Sequence, residues 1–394
     1  MKVGLYLHIP FCKSRCIYCD FYSTTSHDKR EKYVANLCKE IAMKRALIGS
    51  EALLSSIYFG GGTPSLLSLP QLEALFGTIR KYYTYFSPEI EITLEANPDD
   101  ITTTYAKGIH NLGINRVSLG VQSFHDKQLS FLGRRHNAQQ VVEAIETLHK
   151  VGIDNISIDL IYGLPEAPLT WWETTINKAI ALHPSHISAY ALTYEVGTKL
   201  SRLATKGEIL IKNDDEVYEE YNLLIRKLAE AGYVHYEISN FALPHREAIH
   251  NSSYWEGIPY LGVGPSAHSY ITLCEETILR KECFQSGDKL RFANMAQLTS
   301  YEREIERGYI PIDFIEKLSF KERYEETLML RLRTQKGIDL SLFNKDFGTF
   351  CREQLIHRAQ PYIDQGLLLY QRDRLAPTER GFFVIDGIIS SLFL

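Results

Sequence analysis

The sequence has no apolar run long enough to cross a bilayer and no surplus of basic residues. Its 394 residues include 43 Lys and Arg against 48 Asp and Glu, which gives a formal net charge of -5. Proteins that bind nucleic acid usually carry a basic stripe, so this balance argues against that class. The first twelve residues hold one lysine and alternate like a strand, unlike the longer apolar core of a signal peptide. We therefore expect a cytoplasmic protein that does not bind nucleic acid.

Cysteine is sparse and unevenly distributed. Three of the seven cysteines, Cys12, Cys16 and Cys19, fall within one short stretch. An odd number with such clustering, in a reducing compartment, favours a metal site over a disulfide framework. The other four are scattered and are interpreted as ordinary thiols: Cys38, Cys274, Cys283 and Cys351.

Short β-branched or aromatic runs alternate with amphipathic stretches from the start of the chain. This order predicts an α/β fold with a mostly parallel sheet wrapped by helices. Six βα units are too few for a closed eightfold barrel, so we expect a partial (β/α)6 barrel of the TIM type. The predicted strands are residues 3–9, 56–60, 91–96, 116–121, 155–161 and 186–192.

Changes in composition predict three parts. Residues 1–230 would form the barrel, and residues 231–310 a connecting region that is rich in Gly, Pro and aromatics. Residues 311–394 would form a small α+β module that resembles a winged helix. Capping side chains predict helix starts at Ser68, Asn137, Asn213 and Ser319, and at Thr170 with Glu173 as a capping box.

The spacing Cys-x3-Cys-x2-Cys puts three thiolates on one loop, close enough for three corners of a [4Fe-4S] cluster. The fourth iron would be open, and an open iron can chelate the amino and carboxylate groups of S-adenosylmethionine. Zinc held together with His8 is an alternative, but this spacing differs from the paired knuckles of structural zinc sites. Attachment of c-type haem is excluded because Asp20, and not histidine, follows the last cysteine.

Polar residues recur at the carboxyl ends of the predicted strands, where the mouth of a barrel gathers functional groups. Residues 60–62 are three glycines, which let the backbone approach a ligand closely. Glu95 and Asp159 could bind ribose hydroxyls, and Arg134 could clamp the methionine carboxylate. For each of these residues taken singly, and for Gln122, a solvated loop residue or a helix cap is an equally good interpretation.

Five motifs resemble those of the oxygen-independent coproporphyrinogen oxidase group of radical S-adenosylmethionine proteins, in the same order and at similar spacing. They are YLHIPFC (6–12), CIYCDF (16–21), GGGTPS (60–65), GVQSF (120–124) and DLIYGLP (159–165). The resemblance implies a [4Fe-4S] cluster on the three clustered cysteines and S-adenosylmethionine as a second cofactor. It also implies cofactor contacts from Tyr6, Tyr18, Gly62, Thr63, Glu95, Gln122, Arg134, Asp159 and Thr193.

Within this group the sequence looks more like the haem chaperones of the HemW type than the decarboxylating oxidases. Phe21 stands where the oxidases have a fourth cysteine, and the first strand begins without the N-terminal extension of the oxidases. The sequence HNSSYW (250–255) matches the H-N-x-x-Y-W haem-binding signature of the chaperones. The resemblance implies that haem is a ligand, with His250 as axial donor to the iron. It further implies transfer of haem to an acceptor apoprotein, and no catalytic residue is assigned.

Several alternatives stay open. One is an enzyme of the same group that decarboxylates two propionates of coproporphyrinogen III through hydrogen abstraction by an adenosyl radical. Judged without the resemblance, residues 250–255 are better interpreted as a buried Tyr-Trp pair beside a hydrogen-bonded histidine. The sequence also leaves open a homodimer and a peripheral membrane contact. Finally, Ser266 replaces a glycine that is customary in the group, so we expect a different backbone there.

Overall fold

The structure is a computed structural model that describes residues 1–26, 28–280 and 282–394. Its main feature is a large mixed sheet whose central six strands form a partial barrel, as predicted. Over the described residues the strands are β1 (Lys2–Ile9), β2 (Leu53–Gly61), β3 (Tyr85–Ala96), β4 (Arg116–Gln122), β5 (Asn155–Tyr162), β6 (His186–Ala191), β7 (Val234–Glu237), β8 (Asn240–Ala242), β9 (Tyr260–Val263), β10 (His268–Thr272), β11 (Thr277–Leu279), β12 (Glu282–Phe284), β13 (Lys289–Asn294), β14 (Ile312–Lys317), β15 (Ile338–Asp339), β16 (Leu368–Gln371) and β17 (Arg374–Pro377).

Helices follow the barrel strands and cover the outside of the sheet. The same described residues contain α1 (Arg30–Lys44), α2 (Leu69–Tyr82), α3 (Thr103–Leu112), α4 (Asp126–Leu132), α5 (Ala138–Lys150), α6 (Leu169–Ala181), α7 (Lys199–Thr205), α8 (Asp214–Glu230), α9 (Ile249–Trp255), α10 (Leu298–Glu306), α11 (Phe320–Arg331), α12 (Leu340–Phe347), α13 (Thr349–Asp364), α14 (Glu379–Phe383) and α15 (Ile385–Ser391).

The strands β1 to β6 lie side by side in chain order, and each pairs in parallel with the next. Crossover helices bury the outer face, so strand interiors such as residues 156–158 are fully or almost fully buried. In the described part of the chain β6 does not pair with β1, and the barrel is therefore open. All carboxyl ends of these strands point to the same mouth, which gathers the residues that follow them.

The sheet extends beyond the predicted barrel at both edges. β9 pairs in parallel with β1, and β10, β13 and β14 continue the sheet outward from β9 in antiparallel pairs. β8 and β7 add an antiparallel pair beyond β6. These strands were not predicted because each is only three to six residues long and lies between turns.

Helix capping was predicted correctly at most positions. Ser68, Asn137 and Asn213 each accept a hydrogen bond from the backbone of the third helical residue and form a capping box. The capping box predicted at Thr170 is wrong, because α6 already begins at Leu169 with Pro168 in the capping position. The proline ring fixes an extended backbone there, which starts the helix two residues earlier.

The C-terminal part forms a small α+β module, as predicted. α11 starts at Ser319 with a capping box, and α12 and α13 pack on the three-stranded sheet of β15, β17 and β16. A separate cluster of buried apolar residues, which includes Tyr324 and Leu355, forms its core. The module contacts the barrel at β7, where the backbone of Gln335 donates to the carbonyl of Tyr236.

Candidate functional site

The three clustered cysteines lie on a loop that follows β1 and is closed at its base. The backbone of Cys12 donates to the carbonyl of Thr24, 2.9 Å away, and Thr24 donates to that of Pro10 at 2.7 Å. Burial and the proximity of the other thiols raise the pKa of Cys12 and of Cys19. Nevertheless, among the described residues no group of three or more His, Cys, Asp or Glu side chains has the arrangement to hold a single metal ion.

Two polar side chains point at these sulfurs. Thr63 Oγ1 lies 3.6 Å from Cys12 Sγ, and Arg134 Nη1 donates to Cys16 Sγ at 3.4 Å. Hydrogen-bond donors beside a sulfur ligand orient it toward the group that it binds. Thr63 and Arg134 therefore orient two of the three sulfurs.

The three glycines at the end of β2 are required by close packing. A Cβ atom at Gly61 would lie 2.6 Å from the ring of His8, and Gly61 also has a positive φ of 111°. At Gly62 a Cβ would lie 2.8 Å from the carbonyl oxygen of Phe11, at the start of the cysteine loop. These glycines therefore let β2 press against β1 and the cysteine loop, in addition to leaving space for a ligand.

Most of the predicted cofactor contacts meet at one cavity of roughly 440 Å³ at the mouth of the barrel. Its lining also contains the three clustered cysteines. The predicted contacts that line it are Tyr18, Gly62, Thr63, Glu95, Gln122, Arg134, Asp159 and Thr193.

Tyr6 lies behind this cavity and is not part of its lining. Its hydroxyl is 3.1 Å from His8 Nδ1, and its ring packs near that of Tyr58. His8 in turn is 3.0 Å from the carbonyl of Tyr22 through Nε2. His8, the alternative zinc ligand, therefore connects the cysteine loop to β1.

Glu95 and Asp159 are half-buried acids on the wall of the cavity. Burial raises the pKa of Glu95 to about 7, although the carboxylate accepts from Tyr58 OH at 2.8 Å and from the backbone of Gly61 at 3.0 Å. Burial also raises the pKa of Asp159. A carboxyl group of this kind can hydrogen-bond a ligand hydroxyl in either protonation state.

Arg134 is held more firmly than the sequence analysis expected. One terminal nitrogen donates to Cys16, and the other donates to Asn97 Oδ1 and to the carbonyl of Gly120, both at 2.5 Å. Its Nε is buried without a hydrogen-bond partner in the described part of the chain. The guanidinium therefore contacts a cysteine and two oxygen acceptors, and its role as a carboxylate clamp stays a prediction.

Gln122 has a backbone of the left-handed kind, with a φ of 68°, at a bulge where β4 meets β5. Non-glycine residues adopt this conformation at a cost and are found in it at ligand sites.

Some residues of the cavity lining were not predicted from the sequence. Asn97, Ser118 and Tyr190 belong to it. Asn97 and Tyr190 lie at or near the end of a predicted strand, whereas Ser118 lies inside one and had no such signal.

His250, the predicted haem ligand, lies away from the cavity in a closely packed environment. It is 2% exposed, and both ring nitrogens have partners, Ser56 Oγ at 2.8 Å and Tyr254 OH at 2.9 Å. Burial and Arg116 lower the pKa of His250 to about 3. The imidazole is neutral, but in this conformation neither nitrogen is free to bind iron.

Ser266 has a left-handed backbone, with a φ of 62°. Whether relatives with glycine differ here stays a prediction. Serine bears the conformational cost that glycine would avoid.

Comparisons with known proteins agree on one family. Residues 6–179 match the model of the Radical SAM superfamily, and residues 318–384 match the HemN C-terminal domain. The heme chaperone HemW of Mycobacterium tuberculosis is 31% identical over 393 residues, which are 99% of this chain and 94% of the relative. The heme chaperone HemW of Bacillus subtilis is 34% identical over 345 residues, which are 87% of this chain and 86% of the relative.

A solved structure shares the fold over almost the whole chain. Coproporphyrinogen III oxidase (HemN) from Escherichia coli superimposes with a TM-score of 0.82 at 21% identity, covering 99% of this chain and 90% of the oxidase. At that identity the likeness concerns the fold alone. Over the described residues, no helix combines the length and apolar character that a membrane span needs.

Proposed function

This chain belongs to the family of the heme chaperone HemW, and we propose on that basis that it binds haem and delivers it to an acceptor apoprotein. The observation that carries the proposal is the similarity over nearly the full length of both chains. The relatives share the barrel and the C-terminal module together, not the cofactor motifs alone. The chain would act in the cytoplasm, because its three clustered cysteines have to stay reduced to serve as ligands.

We propose that Cys12, Cys16 and Cys19 hold a [4Fe-4S] cluster. The residues present fit such a group: three soft sulfur donors stand on one closed loop, and Arg134 and Thr63 point at two of the sulfurs. Three protein ligands would leave one iron open to S-adenosylmethionine, and the bound pair would supply one-electron chemistry at the sulfonium bond. The chain itself contributes the cage and the exclusion of bulk water.

The lining residues named above are the proposed contacts for S-adenosylmethionine. Gly62 and Thr63 offer backbone and hydroxyl groups beside the cysteine loop, where the methionine part would lie. Glu95 and Asp159, on the same lining, suit the ribose hydroxyls, because half-buried carboxyl groups form strong hydrogen bonds to such partners. Arg134 would act on the cluster side by orienting Cys16.

The first experiment concerns the cluster. Anaerobic reconstitution with iron and sulfide should give the absorption and EPR signature of a [4Fe-4S] cluster, and Cys16→Ala should abolish it. Cys38→Ala is the matched control, since Cys38 lies on α1 outside the cavity lining. A signature that survives in Cys16→Ala would contradict the proposed ligand set.

The second experiment concerns haem and separates the chaperone from the oxidase. Haem titrated into the reconstituted protein should bind stoichiometrically and then move to an acceptor, for example a cytochrome apoprotein, monitored by the Soret band. Supplied with reductant, S-adenosylmethionine and coproporphyrinogen III, the same preparation should form no protoporphyrinogen. Robust decarboxylation without haem transfer would favour the oxidase function, for which the fold alone is shared. Gel filtration and vesicle flotation with and without haem would test the homodimer and the membrane contact that the sequence leaves open.

A further inference from the structure

The helix α9, which carries the signature sequence, closes the end of the barrel opposite the cofactor cavity. Its first backbone amides, those of Ile249 and His250, donate to the carboxylate of Glu91 at 2.9 and 3.0 Å. Glu91 is 4% exposed and lies 3.8 Å from the buried guanidinium of Arg116. The first turn of the helix is therefore anchored to an ion pair inside the barrel, and His250 and Ser253 are its buried residues.

The imidazole of His250 fills its pocket. A Cβ atom placed on Gly4 of β1 would lie 3.4 Å from the imidazole and 3.1 Å from Ser56 Oγ. The ring is edge-on to Tyr254, with centroids 5.0 Å apart at 85°. A haem iron bound at either nitrogen would have to displace Ser56 or Tyr254 and enter a site that is closed on every described side. The geometry thus does not fit an axial ligand.

The same imidazole is connected to the cofactor cavity. It stacks on the ring of Tyr58, with centroids 4.9 Å apart and an interplanar angle of 26°. The hydroxyl of Tyr58 donates to Glu95 Oε1 at 2.8 Å, and Glu95 lines the cavity. A Cβ at Gly60 would meet both Tyr58 and Glu95 within 3.0 Å, so these groups are in tight contact. One aromatic ring therefore separates the signature histidine from a proposed cofactor contact.

We infer that His250 is a positioning residue, which holds Tyr58 and through it the Glu95 carboxylate in place for S-adenosylmethionine, and that it does not ligate haem iron. This inference rests on the proposed function for the identity of the cofactor and of haem. It changes the meaning of the signature sequence: the sequence H-N-x-x-Y-W ties the base of the barrel to the cofactor cavity. The haem iron then takes its ligand from elsewhere.

The barrel contains a matched control for this test. Ser157 and His186 form a second buried pair, Oγ to Nδ1 at 2.8 Å, and His186 Nε2 is 2.8 Å from Tyr236 OH. Both members of this pair are 0% exposed. The two Ser-His-Tyr chains thus have the same chemistry and similar burial, but the imidazole that stacks on Tyr58 is His250.

The test measures S-adenosylmethionine binding by equilibrium dialysis and haem binding by the Soret band, both on anaerobically reconstituted protein. His250→Ala and Ser56→Ala should weaken S-adenosylmethionine binding by roughly three- to tenfold, the range set by one misplaced hydrogen bond. Their haem affinity and Soret maximum should equal those of the wild type. His186→Ala and Ser157→Ala should lose similar thermal stability and keep S-adenosylmethionine affinity within about twofold of the wild type.

A double-mutant cycle distinguishes positioning from general loosening of the barrel. Tyr58→Phe removes the hydroxyl that reaches Glu95, and adding His250→Ala to it should weaken S-adenosylmethionine binding little further, since both act on one path. Additive losses would overturn the inference. So would loss of the Soret shift in His250→Ala with unchanged S-adenosylmethionine affinity, because that result makes His250 the iron ligand.

Two further outcomes keep the test decisive. Should His250→Ala fail to fold, Tyr254→Phe still frees Nε2: unchanged haem affinity supports the inference, and tighter haem binding overturns it. Should the wild type bind no haem at all, the proposed function fails, while the S-adenosylmethionine measurements still decide whether His250 positions Glu95. The two failures are therefore distinguishable.

Discussion

Replacing Glu95 by glutamine should remove a large pH dependence from the stability of the protein. Burial raises the pKa of Glu95 from 4.5 to about 7. Between these two values the folded protein keeps a proton that the unfolded chain has lost, so the free energy of unfolding falls as the pH rises. Above the folded value both states are ionised and the dependence ends. Glutamine has nearly the same shape and does not titrate.

The expected size follows from integrating proton binding. With pKa values of 4.5 unfolded and about 7 folded, the wild type loses about 2.5 kcal/mol between about pH 5 and about pH 8 through this residue. Urea unfolding of the metal-free protein under reducing, anaerobic conditions at both pH values would measure it. The difference in unfolding free energy between wild type and Glu95→Gln should change by that amount.

A second acid provides the control. Burial also raises the pKa of Glu237 to about 7, and Glu237 is 1% exposed but does not line the cavity. Glu237→Gln should therefore remove a similar part of the pH dependence of stability. The pH dependence of S-adenosylmethionine binding, by contrast, should change in Glu95→Gln alone. If wild type and Glu95→Gln lose stability in parallel from about pH 5 to about pH 8, Glu95 does not hold a proton near neutral pH and the reasoning is refuted.

Three further predictions concern packing around the site. Gly120→Ala would place a Cβ 2.8 Å from Arg134 Nη2 and should displace the guanidinium. Iron and sulfide analysis after reconstitution should then show less cluster per chain. Unchanged cluster content would contradict the orienting role of Arg134. Ser266→Gly should raise the free energy of unfolding by about 0.5 kcal/mol, measured in urea, because glycine adopts the left-handed backbone without strain; a decrease would show that the serine side chain contributes more than the strain costs. Glu40→Gln should lower the free energy of unfolding in urea by about 3 kcal/mol. The fully buried ammonium of Lys44 lies 2.9 Å from the Glu40 carboxylate and would lose its counter-ion. A decrease below about 1 kcal/mol would contradict this reasoning.

The barrel could be predicted from sequence because the apolar composition of its strands indicates that they are buried. β4 and β5 are short runs of β-branched and apolar residues, each preceded by a helix with a side-chain N-cap, and nearly every position is buried. β9 gave no such signal: it has four residues, and its pairing with β1 depends on a connection of about two hundred and fifty residues along the chain. The first residues of β3 were missed for a related reason, since their positions are largely exposed and Pro88 interrupts the pattern.

For the candidate site, too, the positions of the residues could be predicted but their contacts could not. Residues that follow strands, such as Glu95 and Asp159, were predicted at the mouth because topology alone brings strand ends together. The partners of each side chain were not predictable. Arg134 was expected to face a ligand carboxylate, but the carbonyl of Gly120 and the amide of Asn97 already accept from it. Those contacts depend on the glycine at position 120, whose missing Cβ makes room for the guanidinium.

His250 shows why a motif identifies residue types and not their environment. The spacing of His250 and Tyr254, four residues apart on one helix, brings the two side chains to the same face and predicts that they meet, which they do at 2.9 Å. The spacing does not determine whether this face of the helix is directed outward, to a porphyrin, or inward, to the barrel. The decision is made by Glu91, 159 positions earlier in the chain, which binds the first amides of the helix and turns it toward Tyr58. Glu91→Gln keeps the shape of this anchor but weakens its two charge-assisted hydrogen bonds. The buried ring of the wild type should resist modification by diethyl pyrocarbonate. If the anchor sets the direction of the helix, Glu91→Gln should expose the imidazole to this reagent, and equal protection of His250 in both proteins would show that another contact holds the helix.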